Sequence, residues 1–132
     1  TFYALTYAAI WIQEANHDTT QIRNNILYQN GSTSNYLDLW NNAYTTWLTA
    51  GLTFSNNCWW NGKSSTKVTG SGDINADPQL VNIGTGVKSD YQLKSTSTLI
   101  NAGATISGMT NDFYTNNSVR PTGAYDIGAD EY

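Results

Sequence analysis

The chain has one cysteine, Cys58, so no internal disulfide can form. It has one histidine, and a Cys–His catalytic pair would need His17, which nothing in the pattern brings near. Charged residues make up only 12% of the chain, about half the share of an ordinary globular protein. Six Lys and Arg against ten Asp and Glu leave a net charge of −4. Nucleic acid needs a basic face, and an anionic membrane surface needs a polybasic patch. No nucleic-acid or membrane partner is therefore expected. The longest apolar run, around Tyr7 to Ile12, falls far short of the roughly 20 residues of a membrane-spanning helix. No basic segment precedes it, so it does not read as a secretory leader. Nucleophile-elbow, phosphate-loop, zinc-protease and dinucleotide fingerprints are all missing.

What the sequence does contain is an echo. Ile22-Arg23-Asn24-Asn25-Ile26-Leu27-Tyr28-Gln29-Asn30-Gly31 reappears as Phe54-Ser55-Asn56-Asn57-Cys58-Trp59-Trp60-Asn61-Gly62. Repeats of this length mark architectures in which each unit stacks on the next. The unit is not helical: Asn, Gly, Thr and Ser crowd it, and the apolar positions alternate. Short strands joined by tight turns are expected there. The same reading covers Ala9-Ile10-Trp11-Ile12, Leu52-Thr53-Phe54, Gln79-Leu80-Val81 and Asp90-Tyr91-Gln92-Leu93. Tyr36-Leu37-Asp38-Leu39-Trp40 fits either a short helix or alternation. Stacking would set Asn24 or Asn25 over Asn56 or Asn57, with amides bonded up the stack, and Asn suits a left-handed corner. A structural role is favoured over a catalytic one for these pairs. Cys58 stands where Ile26 stands in the other copy, so it reads as a small buried hydrophobe.

The C-terminal part carries a resemblance. Asp77-Pro78-Gln79-Leu80-Val81, Asp90-Tyr91-Gln92-Leu93, Ser97-Thr98-Leu99-Ile100-Asn101-Ala102-Gly103 and Arg120-Pro121-Thr122-Gly123-Ala124-Tyr125-Asp126-Ile127-Gly128-Ala129-Asp130-Glu131-Tyr132 follow in order. The series resembles the C-terminal end of bacterial right-handed parallel β-helix proteins. That fold is shared by pectate, alginate and related polysaccharide lyases, and by non-catalytic β-helix modules of plant-polysaccharide-degrading enzymes, a xylan-binding kind among them. The resemblance implies an all-β, right-handed parallel β-helix (solenoid) spanning residues 1–132 as one domain. Coils would run over about 1–100 and a C-terminal cap over about 101–132. Asp126 and Arg120 are candidates to pair within that cap. The predicted core is Ile10, Ile12, Ile22, Ile26, Phe54, Cys58, Leu80, Leu93 and Ile100.

Catalytic chemistry finds little footing. The cations Arg23, Lys63, Lys67, Lys88, Lys94 and Arg120 are scattered, and Lys63 and Lys67 flank a polar loop. Glu14, His17 and Asp18 form the densest titratable cluster, and a surface turn is the favoured reading of it. Asp73 and Asp77 offer oxygens to calcium, yet Asp77 before Pro78 suits a turn better. No catalytic residue, metal or cofactor is assigned, although calcium would be the ion to test.

The aromatic residues are the stronger signal, with five Trp and nine Tyr. Flat rings beside amides suit a sugar chain, whose apolar face stacks while hydroxyls meet the amides. Adjacent Trp59 and Trp60 must face opposite ways on a strand. The repeat sets Trp60 over Tyr28 and Trp59 over Leu27, with one of each pair in the core and the other outside. Between the repeats an insertion, Tyr36 to Leu48, carries more rings and would hang over the side of the stack. The assigned ligand-binding residues are Trp11, Trp40, Trp47 and Trp59, with Tyr44, Asn41 and Asn42 as lesser contributors. The expected function is a non-catalytic carbohydrate-binding module for a plant cell-wall polysaccharide, xylan first, in a secreted bacterial protein. The alternatives are the C-terminal part of a polysaccharide lyase or glycoside hydrolase, and a structural or adhesive stalk. A neighbouring catalytic domain in a longer chain, or a dimer through an uncapped N-terminal coil, is the expected partner besides the polysaccharide.

Overall fold

A computed structural model describes residues 1–3, 8–12, 19–28, 35–39, 51–61, 70–84, 86–109, 124–128 and 132. These residues are all-β, with seven short strands: β1 (Phe2–Tyr3), β2 (Ala8–Ile12), β3 (Gln21–Arg23), β4 (Ile26–Tyr28), β5 (Asn35–Leu39), β6 (Thr53–Ser55) and β7 (Cys58–Trp60). They form three small sheets, β1–β4–β7, β2–β5 and β3–β6, and every pairing is parallel. Parallel neighbours cannot be joined by a hairpin. The chain accordingly visits the three sheets in one order, repeats that order, and returns to the first. The segment around Tyr36 is therefore strand, and it pairs with β2 rather than hanging outside as an arm.

The echo is a register. Ile26 lies opposite Cys58, Leu27 opposite Trp59 and Tyr28 opposite Trp60, while Ile22 lies opposite Phe54. Each β3–β4 and β6–β7 corner turns on the first Asn of its pair, with φ 56° at Asn24 and 50° at Asn56, the left-handed region that Asn tolerates best among residues with a Cβ. The corner side chains leave the stack sideways. Asn24 donates to the Ala104 carbonyl and accepts from its N–H, and Asn56 donates to the Ala102 carbonyl.

The second Asn of each pair builds the ladder. The Asn25 N–H and side-chain amide both donate to Asn57 Oδ1, at 3.1 and 3.2 Å. One rung further, the Asn57 N–H donates to Asp73 Oδ1 at 2.8 Å. Ser71-Gly72-Asp73-Ile74 is thus a third, degenerate copy of the motif, bridged in parallel to Ser55 and Cys58. Gly72 takes the corner with φ +75°, and a Cβ there would lie 2.5 Å from Asn56 Nδ2. Asp73 ends the ladder as a pure acceptor, also receiving the Trp59 indole N–H and the Gly70 N–H, each at 2.8 Å.

Both faces of the β4–β7 pair are covered. On one, Trp59 meets Phe54 with ring centroids 6.1 Å apart and planes at 44°. On the other, Ile26 and Cys58 join Leu80, Leu93, Leu99 and Ile127 in a single core, edged by Tyr28, Trp60 and Ile74. The C-terminal part supplies this second cover. Ile127 is fully buried, and the Gly128 N–H donates to the Asn24 carbonyl. Asp126 is buried and accepts from the N–H groups of Asn101 and Tyr132. Its expected partner Arg120 lies outside the described residues.

Several local expectations need correction. Gln79–Val81 and Asp90–Leu93 are not strands of the stack. Gln79 has φ 53°, Lys88–Tyr91 is a 3-10 turn, and only Leu80 and Leu93 meet, in an antiparallel bridge. Among the predicted core residues, Ile26, Phe54, Cys58, Leu80 and Leu93 are buried, whereas Ile10, Ile22 and Ile100 are half-buried. The side chain of Ile12 lies outside the described set. Leu27, Leu52, Trp59, Leu99, Tyr125 and Ile127 complete the core instead.

A candidate ligand groove beside an aromatic column

The sheet β1–β4–β7 ends every strand on an aromatic residue. Tyr3 is in register with Tyr28, and Tyr28 with Trp60. Strands in a sheet lie about 4.8 Å apart, so these positions form a column along the stack. Tyr28 and Trp60 are half-buried, with their inner edges on the C-terminal cover. Partial burial holds a ring at fixed orientation while leaving part of it to solvent.

Beside Tyr28 opens a groove of about 280 Å³, lined by Tyr28, Asp77, Gln79, Leu80, Ile83 and Lys94. Local hydrogen bonds fix the Asp77 and Gln79 side chains and the Lys94 backbone. Asp77 Oδ1 accepts the Gln79 N–H at 2.8 Å, which closes the turn around the buried Pro78. This is the turn role the sequence favoured. The Ser97 hydroxyl donates to the Pro78 carbonyl at 2.7 Å. The Lys94 N–H donates to the Gln79 carbonyl at 2.9 Å and the Val81 N–H to the Gln92 carbonyl at 2.9 Å, so the Leu80–Leu93 bridge sets Gln79 against Lys94. Thr96 donates from its hydroxyl to Gln79 Oε1 and orients the amide. Aromatic wall, apolar floor, carboxylate, amide and ammonium thus converge on one opening.

Of the assigned ligand residues, Trp59 is placed otherwise. It is 1% exposed, so its ring is not an open platform. The expectation set Trp59 on an open face, but its ring points to the face where Phe54 packs and its indole N–H donates to Asp73. Trp11 lies on β2 in register with Asp38, and its side chain is outside the described set. Trp40, Trp47, Tyr44, Asn41 and Asn42 lie outside the described residues, as do Glu14, His17, Asp18, Lys63 and Lys67. Among the described residues no three His, Cys, Asp or Glu gather as a metal site. Asp73 spends its oxygens on protein donors. The repeat alignment already paired Tyr28 with Trp60. Asp77 and Lys94 meet only through an antiparallel bridge that no periodicity announces.

Cys58 is fully buried and its thiol donates to the Ala76 carbonyl at 3.3 Å. Burial, aided by the charges of Asp77 and Asp73, pushes the thiol from 9.0 up to about 12. A nucleophilic thiolate is thereby ruled out near neutral pH. Because the folded value lies above the unfolded one, the stability it supplies is complete below pH 9 and is lost as pH rises toward 12. Denaturant unfolding of wild type and Cys58→Ala across this window will show a steeper alkaline loss in wild type. A thiol reagent will label Cys58 only upon unfolding.

A family model described as disaggregatase related matches residues 3–118. No curated protein matches the chain.

Proposed function

The chain belongs to the disaggregatase-related family, and from that premise we propose that it is a non-catalytic carbohydrate-binding module for an extracellular polysaccharide, with plant cell-wall xylan as the first ligand. The observation that carries this reading is the column Tyr3, Tyr28 and Trp60, one aromatic position per strand beside a groove of hydroxyl-binding groups. A polymer with a repeating apolar face matches aromatic residues that recur in register from strand to strand. Low charge favours a neutral chain over pectin or alginate.

In the same proposal the three sheets are the faces of a right-handed parallel β-helix, and the residues after about 101 are its cap. Parallel pairing across 32 residues and the Asn25–Asn57–Asp73 ladder support the solenoid. The module would act in a secreted protein, beside a catalytic domain or a second copy.

The affinity should be modest. Stacking at about 1 kcal/mol per ring and a few hydrogen bonds at about 1 each give a dissociation constant from roughly millimolar to tens of micromolar. Several such sites along one polymer act together. Affinity gel electrophoresis against soluble xylan, β-glucan, pectin and alginate, with reducing-sugar and unsaturated-product assays, tests the reading. Xylan will retard the chain without product. Trp60→Leu, which keeps apolar contact with the core but removes the ring, will weaken retardation about fivefold. Product formation would make the chain an enzyme, and no retardation by any polymer would favour a structural stalk.

A further inference from the structure

The groove admits a more specific assignment, which rests on the polysaccharide reading. We propose that the groove beside Tyr28 is a subsite for one neutral pyranose ring with two adjacent free hydroxyls, gripped by Asp77 and Lys94 while the ring's apolar face lies on Tyr28. Size is the first argument. A volume of about 280 Å³ lies just below the range of ligand pockets, which run from roughly 300 to 1,000 Å³. It fits a single ring, with the rest of the polymer continuing along the aromatic column.

Charge is the second. The lining carries one carboxylate and one ammonium, so the opening has no net charge. Asp77 has one oxygen committed to the Gln79 N–H, and its other oxygen holds no hydrogen bond among the described residues. Among the described residues Lys94 donates through its backbone only, and the residue is exposed. A sugar hydroxyl can donate to Asp77, and its neighbour can accept from Lys94. Such charge-assisted bonds are about twice as strong as neutral ones. A uronate would pair with Lys94 but bring its own charge beside Asp77. Gln79 Oε1 is taken by Thr96, which leaves its NH₂ as a further donor toward a hydroxyl or ring oxygen. Leu80 and Ile83 offer no polar partner, which fits the C–H face of a sugar.

The test is NMR titration of the isotope-labelled chain with methyl β-xyloside, xylotriose and glucuronate, on wild type and on Asp77→Asn/Lys94→Met. The Asn keeps an oxygen for the Gln79 N–H, so the turn survives. Wild type will show shifts at Tyr28, Gln79 and Lys94 with xylotriose, and the double variant will bind it about tenfold or more weakly. Xylan gels will retard the same variant less than wild type, with the residual retardation supplied by the aromatic column. If the variant binds xylotriose as wild type does while xylan still retards both, the subsite is wrong and the module reading stands. If glucuronate is preferred, the neutral-ring assignment is overturned. If no sugar or polymer binds wild type, both fall.

Discussion

Trp59→Ala will lower the unfolding free energy by about 3–5 kcal/mol, the usual cost of emptying a buried aromatic site, without a direct effect on sugar binding. The ring is 1% exposed, packs against Phe54, and stands in register with the buried Leu27. Its indole N–H donates to Asp73 Oδ2 at 2.8 Å. The truncation therefore leaves a cavity and removes one partner of a carboxylate. Trp59→Phe keeps most of the contact area and loses the hydrogen bond, and will cost about 1.5–3 kcal/mol. Denaturant unfolding will show a lower midpoint for both. Xylan retardation of the folded fraction will be unchanged in Trp59→Phe. A Trp59→Ala chain of undiminished stability that no longer bound xylan would return the ring to the surface as a platform.

The second large effect is expected at the foot of the ladder. Asp73→Ala removes the acceptor for the Asn57 N–H, the Trp59 indole and the Gly70 N–H. A buried donor left without a partner costs about 1–3 kcal/mol, and water reaches some of these groups, so a loss of about 3–5 kcal/mol is expected in total. Asp73→Asn keeps one acceptor but turns an NH₂ toward a donor, and will fall between wild type and Asp73→Ala. Because Trp59 and Asp73 share one hydrogen bond, Trp59→Phe and Asp73→Ala will not add. Their coupling should lie in the range of about 0.5–3 kcal/mol seen for residues in contact. Full additivity would mean that the indole bond contributes nothing to the fold.

Much of the stack was legible in the residues. The two Asn-Asn echoes predicted which residues face each other, and Ile26–Cys58, Leu27–Trp59 and Tyr28–Trp60 are paired as the alignment implies. The amide ladder and the left-handed corners follow from the chemistry of Asn alone. The third copy was harder to see, because Ser71-Gly72-Asp73-Ile74 keeps the function of each position but not its identity. Gly replaces Asn where only positive φ is needed, and Asp replaces Asn where only an acceptor is needed. Most of the assigned ligand residues, by contrast, belong to segments outside the described structure, and Trp59 was placed on the wrong side of the solvent boundary.

Sequence by itself determined the strand class, the repeat and its register, because alternation and corner chemistry are local and the period of two leaves each side chain only two directions. It also determined that Cys58 is a core residue, since its repeat partner is Ile26. Only the tertiary structure decided what lies over each face. The return of Leu80, Leu93, Leu99 and Ile127 across the outer side of β4 and β7 buries a surface that strand periodicity alone would leave to water. That packing leaves Tyr28 and Trp60 at the rim and sets Asp77 and Lys94 on one opening, while Trp59 is buried on the opposite face, against Phe54. Burial and convergence depend on contacts between segments far apart in the chain, and no spacing within one strand records them.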